Sequence, residues 1–334
     1  MDFSTAWLTT NRTCNNNCSW CYARNSLQSK TIMDLGNAQK LVDNLKKRNI
    51  KRIILIGGEP TIYPYFIDLI KYIRKENIRV SIATNGRKFS DISFASKVLD
   101  AGINGIDISL KAITEENYKR DTGSYGLKEM LDGYNNLKKL NFKPSMSYVI
   151  VDDNHNKFDD LVSFLLENNI TDCSIQFVKP VLELDKTEKL LDLRDMGNFV
   201  EYIYNKLSYT NINYTIEVSF PLCLINKTIL RKLSNENRII NCCHVPRGSG
   251  INFDENFKII PCNHFVNFPF SESPIDFSDD ESIDKIMSSK IVSDFREKSR
   301  CYPASKCQTC NLWSQCGGGC FTRWLTLDPN DYIK

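Results

Sequence analysis

The chain reads Cys14-Asn15-Asn16-Asn17-Cys18-Ser19-Trp20-Cys21 shortly after an apolar run, Ala6-Trp7-Leu8-Thr9-Thr10. The apolar run predicts a β-strand, so the cysteines lie on the loop that leaves it. Cysteine thiolates are the protein ligands of iron–sulfur clusters, and three of them within eight residues can hold three irons of a 4Fe–4S cluster. The fourth iron then has no protein ligand and is open to a bound molecule.

Two other interpretations of these cysteines are disfavoured by their number and setting. A structural zinc ion needs a fourth protein ligand to close its tetrahedron, and none lies nearby in the sequence. Disulfides would leave one of the three cysteines unpaired, and the chain shows no export signal. The CxxxCxxC spacing with Trp20 before the last cysteine resembles the signature of radical S-adenosylmethionine (radical SAM) enzymes, in which SAM binds the open iron.

The size and composition are those of an ordinary globular protein. The 334 residues allow about two domains. The 43 Lys and Arg against 40 Asp and Glu leave a formal charge of +3, so we expect no nucleic-acid partner. No signal peptide and no apolar run of about 18 residues is visible, so we expect a cytoplasmic protein without a membrane span. Thirteen cysteines in a reducing compartment favour metal ligands over disulfides.

Residues 1–210 alternate short apolar runs with helical periodicity, which is the pattern of βα units around a parallel sheet. The expected strands are 6–10, 52–56, 80–84, 105–110, 144–151 and 173–178. Six units predict an α/β fold, a partial (β/α)6 barrel like an open TIM barrel. Residues 211–334 predict a second domain, in which one bridging strand at 212–218 precedes an irregular cysteine-rich segment with a helix around 283–295.

The resemblance implies further contacts to SAM at the carboxyl ends of the strands, where ligands of such sheets bind. Gly57-Gly58-Glu59 resembles the GGE motif that binds the SAM amino group, and Trp20 corresponds to an aromatic residue near adenine. Asn85 and Ser109 resemble polar residues that contact the ribose or the methionyl carboxylate. Residues 176–180, which begin with Gln176 and close the sixth strand, would lie against the adenine through backbone contacts. The alternatives are a turn for Gly57-Gly58-Glu59 and a packed core residue for Trp20. Asn85 and Ser109 could equally be strand-end caps or turn formers.

Nine of the thirteen cysteines lie from Cys223 onward, and four of them form a CxxCx5CxxxC string between Cys307 and Cys320. Two cysteine pairs alone would favour zinc. After a radical SAM barrel, however, the string resembles the core of the SPASM extension of peptide-modifying enzymes, which holds auxiliary 4Fe–4S clusters. The outer-cluster ligands implied are Cys307, Cys310 and Cys316. The inner-cluster ligands implied are Cys243, Cys262 and Cys320, with Cys242 or Cys223 as the fourth.

The tail departs from the family pattern at two positions. The glycine that precedes the Cys262 equivalent by five residues is Phe257 here, so we expect that turn to be built differently. The family's final cysteine, beyond Cys320, is absent. We therefore expect Cys301 to complete the outer cluster, and Cys173 to be a buried strand residue. Together with the SAM cluster, these assignments predict three 4Fe–4S clusters.

The resemblance also implies a reaction and its partners. Reductive cleavage of SAM gives methionine and a 5′-deoxyadenosyl radical, which takes hydrogen from an unactivated C–H bond. SPASM relatives mostly act on peptides, so we expect a precursor peptide substrate and an external one-electron donor. The first expected strand begins close to residue 1, so we expect no N-terminal leader-binding domain and expect the barrel mouth or a separate leader-binding protein to recognise the peptide.

Asn263 bears on which reaction this is. The corresponding residue is an Asp base in anaerobic sulfatase maturases and a Cys hydrogen donor in a peptide epimerase group, and an amide can do neither. The leading expectation is therefore oxidative cross-linking of a ribosomal peptide through a thioether, ether or carbon–carbon bond. The alternatives are epimerisation with a cysteine such as Cys223 as donor, sulfatase-maturase-like protein oxidation, small-molecule dehydrogenation, and a non-enzymatic cluster scaffold. The sequence does not identify a catalytic base.

Overall fold

The computed structural model describes residues 3–27, 29–152, 154–180, 190–241 and 243–333. The chain divides into two compact units, which we call unit 1 (residues 1–145 and 247–296) and unit 2 (residues 146–246 and 297–334). The predicted boundary after residue 210 stays a prediction.

All six predicted barrel strands and the bridging strand are present, with ends within one residue of those predicted. The strands are β1 Thr5–Thr9, β2 Arg52–Ile56, β3 Arg79–Thr84, β4 Gly105–Leu110, β5 Ser145–Ile150, β6 Asp172–Phe177, β7 Asn213–Glu217, β8 Ile239–Ile240, β9 Gly250–Phe253 and β10 Ile259–Ile260. The last three were not predicted, because strands of two to four residues carry too little alternation to be recognised.

Helices follow most strands, as expected for βα units. They are α1 Leu35–Lys47, α2 Phe66–Lys75, α3 Ile92–Asp100, α4 Glu115–Thr122, α5 Leu127–Lys139, α6 Phe158–Glu167, α7 Leu193–Leu207, α8 Lys227–Asn235, α9 His244–Arg247, α10 Ser282–Met287, α11 Lys290–Arg300 and α12 Trp313–Cys316. The predicted helix around 283–295 is in fact two helices, α10 and α11. Ser288 and Ser289 interrupt it, because serine competes for backbone hydrogen bonds and favours helix ends.

In unit 1 the strand order is β10-β9-β1-β2-β3-β4. Neighbouring strands are parallel except in the β9–β10 hairpin, and β1 lies between β2 and β9. The inward side chains of the central strands, such as Leu8 and Leu55, are fully buried, as expected for a parallel sheet. The loops that leave the carboxyl ends of β1, β2 and β3 therefore start at the same edge of this sheet.

In unit 2 the strand order is β5-β6-β7-β8, and the pairs from β5 to β8 are parallel. The C-terminal segment has a small core of its own. Ala304, Cys307 and Ile333 are buried there, and Trp313 and Trp324 pack against them. Within the part of the chain that the structure describes, no helix is both long and apolar enough to cross a membrane.

The hairpin turn between β9 and β10 places Phe257 in a backbone conformation that usually takes glycine. The expectation that this turn differs from the family's stays a prediction. Phe257 has φ of 63°, in the left-handed region, where a bulky residue is rare. Its N–H donates to Asp254 O at 3.0 Å. The Asp254 carboxylate accepts from the N–H of Asn256 at 2.9 Å and of Lys258 at 2.8 Å. The Phe257 ring is buried and packs edge-on against Phe277.

Candidate functional site

The loop after β1, residues 11–23, holds the three N-terminal cysteines. Cys18 is buried and Cys14 and Cys21 are partly buried. A turn brings Cys21 N to Cys18 O at 3.1 Å. The backbone N–H of Asn16 donates to Cys14 Sγ at 3.3 Å, and that of Ala23 donates to Cys21 Sγ at 3.4 Å. Such N–H donors stabilise a thiolate over a thiol.

The three thiols interact electrostatically. The pKa of Cys14 is raised to about 12, first by burial and further by charge on Glu59, Cys18 and Cys21. Burial and the charge on Cys18 raise the pKa of Cys21 to about 11. Burial also raises the pKa of Cys18, and the positive charge of Lys111 partly offsets that increase. A bound cationic centre would offset this cost and favour the thiolate form of all three.

This donor set fits a 4Fe–4S cluster. Three sulfurs stand on one loop, two of them accept backbone N–H groups, and each needs a compensating positive charge. Across the described residues, no three His, Cys, Asp or Glu side chains are gathered tightly enough to hold one metal ion. A cluster does not require that arrangement, because each iron takes a single cysteine.

Helix α4 fixes the backbone of the cysteine loop. The N–H of Asn17 donates to Thr122 O at 2.7 Å. The N–H of Ser19 donates to Asp121 O at 2.9 Å. Both acceptors lie in the last turn of α4, where carbonyl groups have no partner within the helix. The carbonyl groups at the end of α4 and the N–H groups of the loop thus satisfy each other's hydrogen bonds.

Arg87 fixes the asparagines that separate the first two cysteines. Its Nη1 donates to Asn15 O at 2.9 Å and to Asn16 Oδ1 at 2.8 Å. Its Nε pairs with Glu129 at 2.6 Å. The other end of the Asn16 amide donates to the Tyr118 hydroxyl at 3.0 Å. Sequence reasoning missed Arg87 and Tyr118, although Arg87 follows the Asn-Gly pair that ends β3.

Gly57 and Gly58 allow the loop after β2 to lie against the start of the cysteine loop. Gly58 N donates to Asn11 O at 2.8 Å. A Cβ on Gly57 would come within 2.5 Å of Asn11 O. A Cβ on Gly58 would come within 2.2 Å of Arg12 O and 2.3 Å of Thr13 O. Glycine is therefore required here for backbone contact with the cysteine loop.

Glu59 joins the ends of β2 and β3. Its side chain is buried, and Oε1 accepts from the Thr61 hydroxyl at 2.7 Å and the Thr84 hydroxyl at 2.6 Å. Oε2 accepts from Asn85 N at 2.7 Å. The Asn85 amide in turn donates to Asn15 Oδ1 at 2.6 Å, on the cysteine loop. Contacts of Glu59 and Asn85 with SAM stay predictions.

The remaining predicted SAM residues lie on different elements. Trp20 is partly buried on the cysteine loop. Ser109 lies near the carboxyl end of β4 in unit 1, and Gln176 lies near the carboxyl end of β6 in unit 2. Their contacts with SAM stay predictions. Lys111, just beyond β4, was not predicted, although a charged residue directly after a strand is a signal that could have indicated it.

Cys262 belongs to unit 1, as the cysteine loop does. Tyr22 lies near both: burial raises its pKa most, and charge on Cys21 and on Cys262 raises it further. The Tyr22 ring also packs against the His264 ring, with 5.3 Å between centroids. Asn263 stands between Cys262 and His264 in a short 3-10 helix.

The other tail cysteines belong to unit 2, and Cys242 lies outside the described residues. Cys307 is buried, Cys243, Cys310, Cys316 and Cys320 are partly buried, and Cys223 and Cys301 are exposed. Lys179 pairs with Glu217 at 2.5 Å. Burial alone would lower the pKa of Lys179, but Glu217, Cys320 and Cys243 together raise it. Two of the predicted inner-cluster cysteines therefore lie near one lysine.

Residues 8–165 match the family model described as the radical SAM superfamily. Among curated proteins, a probable GTP 3′,8-cyclase of Pyrococcus abyssi is 26% identical over 192 residues, which are 57% of this chain and 59% of that protein. A 7,8-dihydro-6-hydroxymethylpterin dimethyltransferase of Methanocaldococcus jannaschii is 26% identical over 271 residues, 77% of this chain and 53% of that protein. The chain thus spans less than two thirds of either relative.

Two solved structures resemble nearly the whole chain. Streptococcus suis SuiB bound to the precursor peptide SuiA matches with a TM-score of 0.76 at 19% identity, over 98% of this chain and 74% of that one. Native anSMEcpe with bound AdoMet matches with a TM-score of 0.74 at 16% identity, over 95% of this chain and 88% of that one. At such identity the likeness shows the fold.

The chain therefore carries a radical SAM domain, joined to a cysteine-rich C-terminal region. The predicted radical SAM resemblance and the predicted α/β partial-barrel fold are confirmed. A radical SAM fold implies one 4Fe–4S cluster and SAM as cofactors.

Proposed function

We propose that this enzyme cleaves SAM reductively and uses the resulting radical to form an oxidative cross-link in a ribosomally made peptide. The link is a thioether, ether or carbon–carbon bond. The observation that carries the proposal is the structural similarity to SuiB, which was solved with its precursor peptide. The similarity covers 98% of this chain. That likeness extends over the cysteine-rich tail, whereas the match to the GTP cyclase covers 57% of the chain.

The residues around the N-terminal cysteines would position the cluster and SAM for this reaction. When bound, the cluster and SAM supply hydrogen abstraction from an unactivated C–H bond. Cys14, Cys18 and Cys21 would hold the cluster. Arg87 and the last turn of α4 keep the cysteine loop in one conformation. A fixed loop matters because a small misplacement of the reacting atoms costs a large factor in rate.

The tail cysteines would hold two auxiliary 4Fe–4S clusters of the SPASM type, with the inner and outer ligand sets given above. The arrangement supports this in two ways. Cys243 and Cys320 share Lys179 as a neighbour, and Cys307, Cys310 and Cys316 lie in one short segment with a hydrophobic core. The clusters would pass electrons, so the proposal includes an external one-electron donor. A separate leader-binding protein is a further proposed partner.

A second candidate is a nucleotide or other small molecule as substrate. It is favoured by the 26% identity to the probable GTP 3′,8-cyclase over 57% of this chain. Epimerisation and sulfatase-maturase-like oxidation are less favoured, because Asn263 replaces the base or donor that each of those reactions uses.

The test is a substrate comparison under anaerobic conditions. Reconstituted enzyme is incubated with SAM and dithionite, and with either a short peptide encoded beside its gene or GTP. We expect the peptide to stimulate 5′-deoxyadenosine formation and to lose two hydrogens per cross-link by mass spectrometry. Enzyme lacking the three N-terminal cysteines is the control. Stimulation by GTP alone would contradict the proposal, and deuterium uptake from D2O without mass loss would indicate epimerisation.

A further inference from the structure

The segment that contains Cys223 is fastened to the cysteine string of the tail, and both belong to unit 2. Cys320 N donates to Ser219 O at 2.9 Å. The fully buried Arg323 donates from Nε to Ser219 O at 3.0 Å and from Nη2 to Ser219 Oγ at 2.9 Å. A Cβ on Gly319 would lie 2.7 Å from Phe220 Cα. The two backbones therefore run in contact, with no space between them.

The contact continues to the sulfur of one predicted outer-cluster ligand. The backbone N–H of Leu222 donates to Cys316 Sγ at 3.3 Å. Leu222 begins the short 3-10 helix Leu222–Leu224, and Cys223 is its next residue. Cys223 thus follows directly on a residue that touches the Cys316 sulfur.

The Cys223 thiol lies within Coulombic range of the whole outer set. Its pKa is raised first by desolvation and then by charge on Cys316, Cys307 and Cys310. Cys223 thus lies near the three sulfurs of Cys307, Cys310 and Cys316, in agreement with the backbone contact of Leu222 with Cys316 Sγ.

Cys301, the ligand expected from the sequence, is engaged elsewhere. It is exposed, and its Sγ donates to Glu297 O at 3.4 Å, one turn back in α11. The residues between Cys301 and Cys307 pack on the string through other groups, since the Tyr302 ring lies 4.5 Å from the Trp313 ring.

We infer that Cys223 is the fourth protein ligand of the outer auxiliary cluster, together with Cys307, Cys310 and Cys316. The inference rests on the proposed function, because it presupposes that the tail binds clusters. It replaces Cys301 in the outer set. It also excludes Cys223 as an inner-cluster ligand and as a hydrogen donor, because a thiolate bound to the outer cluster can take neither role.

The first experiment is thiol footprinting of the wild-type chain, which does not depend on how a variant folds. Cys223 and Cys301 are both exposed, so both should react with iodoacetamide in the apoprotein. After anaerobic reconstitution we expect Cys223 to be protected at least tenfold while Cys301 still reacts, as read by peptide mass spectrometry. Equal reactivity of the two, or protection of Cys301 alone, would overturn the inference.

The second experiment compares Cys223→Ala with the matched variant Cys301→Ala, by iron and sulfide content and by EPR. Three clusters give about twelve irons per wild-type chain. We expect Cys223→Ala to lose about four irons or to show a 3Fe–4S signal, and Cys301→Ala to match the wild type. An unchanged Cys223→Ala variant would overturn the inference alone. About four irons in the wild type would instead defeat the proposed auxiliary clusters, and this inference with them.

Discussion

Phe257 occupies a backbone conformation that normally requires glycine. Its φ of 63° brings Cβ close to the next carbonyl oxygen, which costs roughly 1 to 2 kcal/mol for a residue with a side chain. The buried ring repays that cost, because it packs against Phe277 and fills the space under the hairpin. Strain and packing at Phe257 therefore oppose each other, and substitutions can separate them.

We predict that Phe257→Gly is more stable than Phe257→Ala by about 1 kcal/mol, since both lose the ring but only glycine relieves the backbone. Both should be less stable than the wild type by roughly 2 to 4 kcal/mol. Urea unfolding of the three proteins measures this. Phe253, fully buried in β9, is the control. At this strand position we expect Phe253→Ala to be more stable than Phe253→Gly, which is the usual order. The same order at both positions would contradict the prediction.

Arg87 offers a second test at a single position. Arg87→Met removes two hydrogen bonds to the cysteine loop, and we expect the SAM cluster to be lost several times faster under a chelator. Glu129→Gln is the matched control, because it removes the Arg87 ion pair and leaves those hydrogen bonds in place. Bleaching of the cluster absorbance is the measurement. Equal half-lives for the two variants would show that the loop does not depend on Arg87.

Five helices end with the same device, an asparagine in the left-handed conformation. These residues are Asn49, Asn77, Asn141, Asn169 and Asn237. At α2, Asn77 N donates to Arg74 O at 3.0 Å and Ile78 N donates to Ile73 O at 3.3 Å, which is the Schellman pattern. The residue after each asparagine leads towards the next strand. The asparagines therefore set where helices stop and strands can begin.

We predict that Asn77→Ala lowers the free energy of unfolding by about 1 kcal/mol, because alanine tolerates a positive φ poorly. Asn77→Gly should equal or exceed the wild type, since glycine is the residue that this position favours. Asn77 is exposed, so neither change disturbs the core. Thermal unfolding of both variants decides the matter, and a glycine variant less stable than the alanine variant would contradict it.

Long periodic elements could be predicted from the sequence, and contacts between distant segments could not. The strands from β1 to β7 were recognised because their apolar runs alternate with helical periodicity over many residues. The two-residue strands β8 and β10 have no such pattern. Left-handed asparagines such as Asn77 recur at five αβ connections, so the sequence does contain a signal for these helix ends.

The same distinction applies to the candidate site. Cys14, Cys18 and Cys21 could be predicted as cluster ligands because their spacing is local. Arg87 and Tyr118 reach the cysteine loop from about 70 and 100 residues away, and no local pattern reports such a contact. The assignment of Cys223 needed the structure for the same reason, since 93 residues separate it from Cys316.

For the molecule as a whole, the two kinds of cysteine site differ in position along the chain. Cys14, Cys18 and Cys21 lie on one loop of unit 1, whereas the proposed outer-cluster cysteines all lie in unit 2. Loss of the first set therefore leaves the second set's ligands and the small core around Cys307 unchanged. Iron content and SAM cleavage should then respond separately to substitution.

We predict that changing Cys14, Cys18 and Cys21 together to Ala abolishes 5′-deoxyadenosine formation and removes about four irons per chain, while about eight remain. We expect an open iron only on this loop, because three cysteines are proposed for the SAM cluster and four for each auxiliary cluster. Unfolding should change little, since Arg87 and α4 still hold the loop backbone through contacts that involve no cysteine side chain. Iron analysis and anaerobic product quantification measure both effects. Undiminished 5′-deoxyadenosine in the triple variant, or the loss of all iron, would mean that the clusters are not independent in the way the cysteine positions indicate.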